Sequence, residues 1–134
     1  MATLIAHGSE PTAHTFAQRL ATVLGEQRGV TTAVEEFPVA ARYVDNVDAI
    51  IVVAETQDAA FHRGARNFMA AQYAETAEKT LFVAALGSAA ELAADQRTAI
   101  DAFSPRDVGY FRTDLPNADA LKIWAGRINT RGAV

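Results

Sequence analysis

The run Ala49-Ile50-Ile51-Val52-Val53-Ala54 sets six apolar residues in a row without a polar break. A second apolar run, Leu-Phe-Val-Ala-Ala-Leu at residues 81–86, follows after a helical pattern. Strands that face water on one side alternate apolar and polar residues, whereas strands covered on both faces read as continuous apolar runs. Both runs therefore predict central parallel strands with helices on either side.

Weaker patterns on either side of these runs predict three further strands. Residues 4–6 are apolar, residues 31–34 are β-prone but half polar as suits an edge strand, and residues 108–111 precede the last helical pattern. Residues 38–46 form a crossover in which a short helix is one option. Apolar residues at helical spacing separate the strands; in chain order they are Phe16, Leu20, Val23 and Leu24, then Phe61, Ala65, Phe68, Met69 and Tyr73, then Leu92, Ala99, Ile100 and Phe103, then Leu121, Trp124, Ala125 and Ile128. Such alternation predicts an α/β fold with parallel pairing through right-handed crossovers.

The composition narrows the class of protein. A length of 134 residues predicts one domain spanning residues 1–134, and 50% hydrophobic with 21% charged residues is typical of a folded chain. The net charge of −4 and the scattered basic residues argue against nucleic acid and anionic membranes as partners. The absence of cysteine excludes disulfides, thiolate nucleophiles and iron–sulfur clusters. Without a basic leader or a membrane-length apolar run, we expect a cytoplasmic protein with no membrane insertion.

Doubly wound sheets bind ligands at the carboxyl ends of their strands, where the strand order reverses. The sequence places three loops there, at residues 8–13, 55–60 and 87–90. The first loop leads into a helix, and a helix N-terminus can hold a phosphate dianion with its backbone N–H groups and dipole.

The segment GSEPTAHTFAQRL, residues 8–20, resembles the phosphate loop and first helix of flavodoxins, and is closest to the diflavin-reductase form GSxTGTAExFAxxL. The matching residues are Gly8, Ser9, Thr12, Ala13, Phe16, Ala17 and Leu20. Pro11 alone stands where the family has a Thr-Gly pair, so this loop is one residue shorter.

Two later stretches carry a related resemblance. Residues 48–69, DAIIVVAETQDAAFHRGARNFM, look like the third strand, flavin loop and third helix of the flavodoxin-like domains related to menaquinone-dependent protoporphyrinogen dehydrogenase. Residues 109–116, GYFRTDLP, resemble the fifth strand and its exit in the same group. The resemblance implies a flavodoxin-like three-layer α/β/α sandwich whose five-stranded parallel sheet has the order 2-1-3-4-5.

The same resemblance implies non-covalent binding of flavin mononucleotide (FMN) and electron transfer to a redox partner protein. The implied contacts are Gly8, Ser9, Glu10, Thr12 and Ala13 at the phosphate, and Glu55, Thr56, Gln57, Gly87 and Ser88 around the ring. Ser9, Thr12 and Thr15 would supply hydroxyl groups. Against this, Pro11 lacks an N–H, and Glu10 puts a negative charge where the phosphate would sit. The alternative for Thr12 is an N-cap on a surface helix that needs no ligand.

A cofactor-free protein is the second hypothesis. Flavodoxins commonly stack aromatic residues on the flavin ring, but residues 55–58 and 87–90 contain none. Phe61 is the nearest aromatic candidate, and its alternative role is the first core residue of the third helix. A flavodoxin fold that has lost its cofactor would act as a binding or assembly module.

Three histidines support a third hypothesis. His7 ends the first strand, His14 lies in the first helical turn, and His62 follows the third strand. His7 and His62 could approach each other and hold a metal or shuttle a proton, the alternative being ordinary hydrogen-bonded loop residues. The stretch IAHGSEP also resembles the start of the small cobaltochelatases and sirohydrochlorin chelatases, which implies an enzyme that places a metal ion into a tetrapyrrole.

Overall fold

Strands and helices alternate along the part of the chain that the computed structural model describes, residues 2–29, 31–57, 60–61, 63–72, 80–114 and 116–128. The strands are β1 (Ala2–His7), β2 (Thr31–Glu36), β3 (Ala49–Gln57), β4 (Ala60–Phe61), β5 (Thr80–Gly87) and β6 (Asp107–Arg112). The helices are α1 (Pro11–Arg28), α2 (Phe37–Ala40), α3 (Arg63–Ala71), α4 (Ala94–Asp101) and α5 (Ala118–Arg127), with a 3-10 turn at Val44–Asn46.

Five of the strands pair in parallel in the order β2-β1-β3-β5-β6. Because β5 and β6 are the fourth and fifth parallel strands, the predicted order 2-1-3-4-5 is confirmed. The two apolar runs occupy β3 and β5 and are almost completely buried. They lie at the centre of the sheet because they alone can be covered by helices on both faces.

The short strand β4 was not predicted. It pairs antiparallel with the end of β3, with Thr56 opposite Phe61 and Gln57 opposite Ala60. The prediction that Phe61 begins the third helix is therefore wrong: its backbone belongs to this hairpin, and α3 begins at Arg63. Tyr73, predicted on the same helix, lies outside the described residues.

Side chains from alternate strand positions enter two separate cores. One core lies between the sheet and helices α1 and α5, and includes Ile51, Phe82, Leu20 and Trp124. The other lies on the α2, α3 and α4 side, and includes Ile50, Val83, Phe68 and Ile100. Complete burial of a Leu, Ile or Phe side chain contributes roughly 1.5–3 kcal/mol, so the two cores hold the strand ends in fixed positions.

Several boundaries have clear local causes. Gly29 closes α1 with a left-handed φ of 63°, and its N–H donates to Gly25 O at 3.1 Å, as the predicted stop requires. The crossover after β2 contains α2, which confirms the short-helix option. Helix α4 is shorter than its sequence pattern, since Leu92 and Phe103 lie just outside it while packing against the core. Among the described helices, none has the length and apolarity of a membrane span.

Helix α5 is fixed to the sheet by a polar contact as well as by its core face. Trp124 Nε1 donates to Asp107 Oδ2 at 3.1 Å, and Arg127 forms an ion pair with the same carboxylate at 3.1 Å. A Cβ on Gly109 would lie 3.0 Å from the Trp124 indole, so glycine permits this close approach. The end of α5 is thereby held beside the start of β6.

Candidate functional site

The loop between β1 and α1 places Pro11 at the first helical position. Proline suits that position because its fixed φ matches the helix and its missing N–H would have had no partner within the helix. The N-cap is Glu10, with φ −65° and ψ 137°, so the interpretation of Thr12 as the N-cap is wrong. Thr12 is exposed in the first turn, while Ala13 is buried.

The Glu10 carboxylate folds back over Gly8. Its Oε1 and Oε2 atoms lie 2.7 and 2.8 Å from the point that a Cβ on Gly8 would occupy, and Oε1 is buried. The carboxylate thus lies against Gly8, one of the residues predicted to contact a bound phosphate. Two like charges about 4 Å apart repel by roughly 1 kcal/mol in water and about 4 kcal/mol near a protein surface. The present position of Glu10 therefore opposes phosphate binding at Gly8.

The loops after β3 and β5 are joined by side chains. Thr56 Oγ1 donates to Leu86 O at 3.2 Å, and Tyr110 OH donates to Ala89 O at 3.0 Å. A Cβ on Gly87 would lie 2.5 Å from Thr56 Oγ1 and 2.6 Å from the Tyr110 hydroxyl. The structure thus brings together Thr56 and Gly87, two of the residues predicted around the ring, and packs Tyr110 beside them. Thr56 and Tyr110 thus fill the space beside Gly87 on the α2, α3 and α4 side of the sheet.

The other predicted ring residues are spread around these loops. Glu55 is half-buried at the end of β3, Ser88 is exposed, and the backbone of Gln57 lies in the β3–β4 hairpin. Tyr110 was missed by the sequence reasoning because it sits on a strand rather than in a loop. The signal available was its place in the β6 strand, one residue before the buried Phe111.

A cavity of about 560 Å³ lies between α1 and the exit from β6. From α1 it is lined by Thr12, Thr15, Phe16 and Arg19, and opposite them by Leu86, Thr113 and Asn117. Positions 12, 15 and 19 follow the i, i+3, i+7 spacing that puts side chains on one helix face. Of the predicted cofactor residues whose side chains the structure describes, only Thr12 lines this cavity. The loop after β6 was not among the predicted ligand loops.

Hydrogen bonds fix the far wall of that cavity. Thr113 N–H donates to Gly87 O at 2.9 Å, and Asn117 Nδ2 donates to Arg112 O at 2.9 Å. Arg112 also forms a two-pronged pair with Asp114, at 2.9 and 2.7 Å. These hydrogen bonds lower the pKa of Asp114 and raise that of Arg112, so both groups stay charged at neutral pH.

A second cavity, of about 440 Å³, lies on the opposite side of the β1 end. It is lined by His7, Gly8 and Ser9, by residues around α2, and by α3 residues that include Asn67 and Phe68. The predicted phosphate loop therefore divides between two cavities. Gly8 and Ser9 face this one, whereas Thr12 faces the other.

His7 pairs with His14. The His7 side chain is 1% exposed, its Nδ1 lies 2.7 Å from Gly8 O, and its Nε2 lies 3.3 Å from His14 Nδ1. The predicted partner, His62, lies outside the described residues. The sequence did carry a signal for this pair. His14 follows His7 by seven residues, a distance that a short loop and the first helical turn can span. Within the described ranges, no group of three or more His, Cys, Asp or Glu residues is arranged to hold a metal.

No protein-family model matches the sequence, and no curated protein matches it. Solved structures do match in fold. An archaeal flavodoxin is 16% identical with a TM-score of 0.66, over 93% of this chain and 94% of that one. A Fusobacterium nucleatum flavodoxin bound to flavin mononucleotide is 10% identical with a TM-score of 0.67, over 94% of this chain and 95% of that one. Rubredoxin oxygen:oxidoreductase from Desulfovibrio gigas is 11% identical with a TM-score of 0.70. That match covers 93% of this chain but only 34% of the longer protein. These likenesses show that the chain has a flavodoxin-like fold.

Proposed function

We propose that this flavodoxin-like chain binds FMN non-covalently at the carboxyl ends of its parallel strands and exchanges electrons with a redox partner protein. The observation that carries the proposal is the cavity beside the first half of α1, where Thr12 and Thr15 share a wall with Arg19. Hydroxyls, a guanidinium and the positive end of a helix are the groups that bind phosphate in proteins. The flavodoxins among the structural neighbours support the same ligand class.

The residues of this cavity suit both ends of such a ligand. Thr12, Thr15 and Arg19 would hold the phosphate, and Phe16 with Leu86 would supply an apolar wall that excludes water from a flat ring. When bound, FMN supplies one- and two-electron redox chemistry. The Glu10 carboxylate is at the far end of a flexible side chain, so it can rotate away from an incoming anion.

The test is titration of FMN against the tag-free apoprotein, followed by quenching of flavin fluorescence. Riboflavin, which has the ring but no phosphate, is titrated in parallel. We expect saturable quenching by FMN and weaker binding of riboflavin, because the polar groups of the cavity recognise the phosphate. Absence of saturable quenching at high micromolar FMN would reject the proposal.

A matched pair of variants locates the site. Arg19→Gln removes the cation from the cavity, whereas Arg97→Gln removes an exposed cation on α4 that pairs with Asp101. We expect Arg19→Gln to weaken FMN binding by about tenfold, the equivalent of about 1.4 kcal/mol for a charge-assisted hydrogen bond, and to leave riboflavin binding unchanged. Arg97→Gln should leave both ligands unaffected.

The second candidate is a binding module without cofactor. The specific observation in its favour is the Glu10 carboxylate over Gly8, together with the filled gap at Gly87. Under this reading the protein purifies colourless from flavin-replete cells, and removal of the Glu10 charge does not create FMN binding. A yellow protein would exclude it.

A further inference from the structure

We infer that His7 and His14 form a two-imidazole binding site for a transition-metal dication of the Zn²⁺ or Co²⁺ class. The site shares no ligand with the proposed flavin site, since it uses neither the threonines nor Arg19 of the α1 cavity. Imidazole nitrogens are preferred ligands of these ions.

The separation of the two nitrogens fits such an ion. His7 Nε2 and His14 Nδ1 are 3.3 Å apart. Zinc–imidazole bonds measure about 2.0–2.1 Å, so two ligands of one tetrahedral ion lie about 3.3 Å from each other. The ring centroids are only 4.9 Å apart. If each ring pointed straight along the line between the two nitrogens, the centroids would lie farther apart than this. The rings are therefore tilted off that line.

The backbone fixes the reactive nitrogen of His7. Its Nδ1 lies 2.7 Å from Gly8 O, a carbonyl that only accepts, so Nδ1 carries the proton and donates. The lone pair of Nε2 is then directed to His14. A metal-binding histidine is usually oriented by this kind of N–H to carbonyl bond on its other nitrogen.

Access and charge also suit a cation. His7 is buried, but His14 is exposed, so an ion can enter from the His14 side and keep water in its remaining positions. The carboxylate of Glu10 over Gly8 offsets the positive end of α1, which would otherwise disfavour a cation. Without an ion, the His14 Nδ1–H donates to His7 Nε2. On binding, His14 adopts the tautomer protonated at Nε2, both lone pairs coordinate, and no net proton is released.

The experiment is calorimetric titration of tag-free protein with Co²⁺ alone and with Zn²⁺ alone, alongside the visible absorption of bound Co²⁺. We expect one ion per chain, and an affinity that falls on acidification because protons compete for the same nitrogens. His14→Gln should weaken binding by roughly tenfold or more, since it removes one of two ligands. His62→Gln is the matched control and should bind as the unmodified protein does.

Three results would overturn the inference: negligible heats with both ions, unchanged binding by His14→Gln, or loss of binding in His62→Gln. Because His7 is buried and its substitution can unfold the chain, the unmodified protein provides a second readout. Zn²⁺ should shift the imidazole ¹⁵N signals of His7 Nε2 and His14 Nδ1 and leave those of His62 in place. Shifts confined to other residues would contradict the site even where calorimetry shows binding.

Discussion

The loop after β1 and the loop after β5 are both crowded around a glycine, but the crowding differs in kind. Over Gly8 lies the far end of the Glu10 side chain, which can move by rotation. Over Gly87 lie Thr56 and Tyr110, and each is tied by a hydrogen bond to a backbone carbonyl. A short distance to a glycine does not by itself say whether a loop can open for a ligand. What holds the neighbouring atoms decides it.

The largest expected effect comes from placing the same methyl group in both loops. Gly87→Ala should destabilise the fold by about 1–3 kcal/mol, because Thr56 and Tyr110 can make room only by giving up their hydrogen bonds. Gly8→Ala should cost less than about 1 kcal/mol, because only the Glu10 carboxylate must move. Urea denaturation of both variants measures the difference. Equal losses would mean that the two loops are equally rigid.

The Glu10 charge gives the next effect. Glu10→Gln should tighten FMN binding by about tenfold, about 1.4 kcal/mol, by removing repulsion of the phosphate. The affinity for riboflavin, which has no phosphate, should rise much less. Glu26→Gln, which removes an exposed charge near the end of α1, is the control and should change neither affinity. If both glutamates had the same effect, net charge rather than the loop would be responsible.

The Tyr110 hydroxyl provides a smaller test of the rigid loop. Tyr110→Phe removes the bond to Ala89 O and should cost about 1 kcal/mol of stability. It also removes one of the two atoms that crowd Gly87, so Gly87→Ala should cost less in the Tyr110→Phe background. A double-mutant cycle measures this coupling. Strictly additive losses would show that the hydroxyl does not restrict Gly87.

The Arg112–Asp114 pair, which flanks Thr113 in the chain, should have the smallest effect, since both groups are at the surface. The pKa of Asp114 is lowered from 3.8 by its hydrogen bonds to Arg112, so the pair stabilises the fold at pH values above 3.8. That contribution is lost as pH falls through the lowered pKa. Below it, the Asp114→Asn variant should be as stable as the unmodified protein. An NMR titration of the Asp114 carboxyl should give a midpoint below 3.8. A midpoint above that value would contradict the pair.

The sequence predicted the sheet well because the sheet depends on local pattern. Uninterrupted apolar runs identify β3 and β5, a half-polar segment identifies the edge strand β2, and Gly29 marks the end of α1. The β3–β4 hairpin at Phe61 was missed because it depends on pairing between chain segments, which periodicity does not report.

The candidate site was predicted less completely for the same reason. The loops after β1, β3 and β5 were expected at one edge of the sheet, and the structure places them there. The orientation of Glu10, the Tyr110 contact and the His7–His14 pair depend on side-chain directions across different elements. The cavity beside Arg19 depends on how α1 lies against the exit from β6, and no motif records that arrangement.

The edge strand β2 has a consequence for how the protein behaves in crowded solution. An open edge presents unpaired backbone groups on which strands of other copies can add, the first step of cross-β aggregation. Here that edge is six residues long, ends in Glu35 and Glu36, and passes directly into a helix that contains Pro38. Copies stacking in register would bring these carboxylates together, and the proline would stop the ladder from lengthening. The two glutamates and the proline at the end of β2 thus protect the sheet against self-propagating assembly.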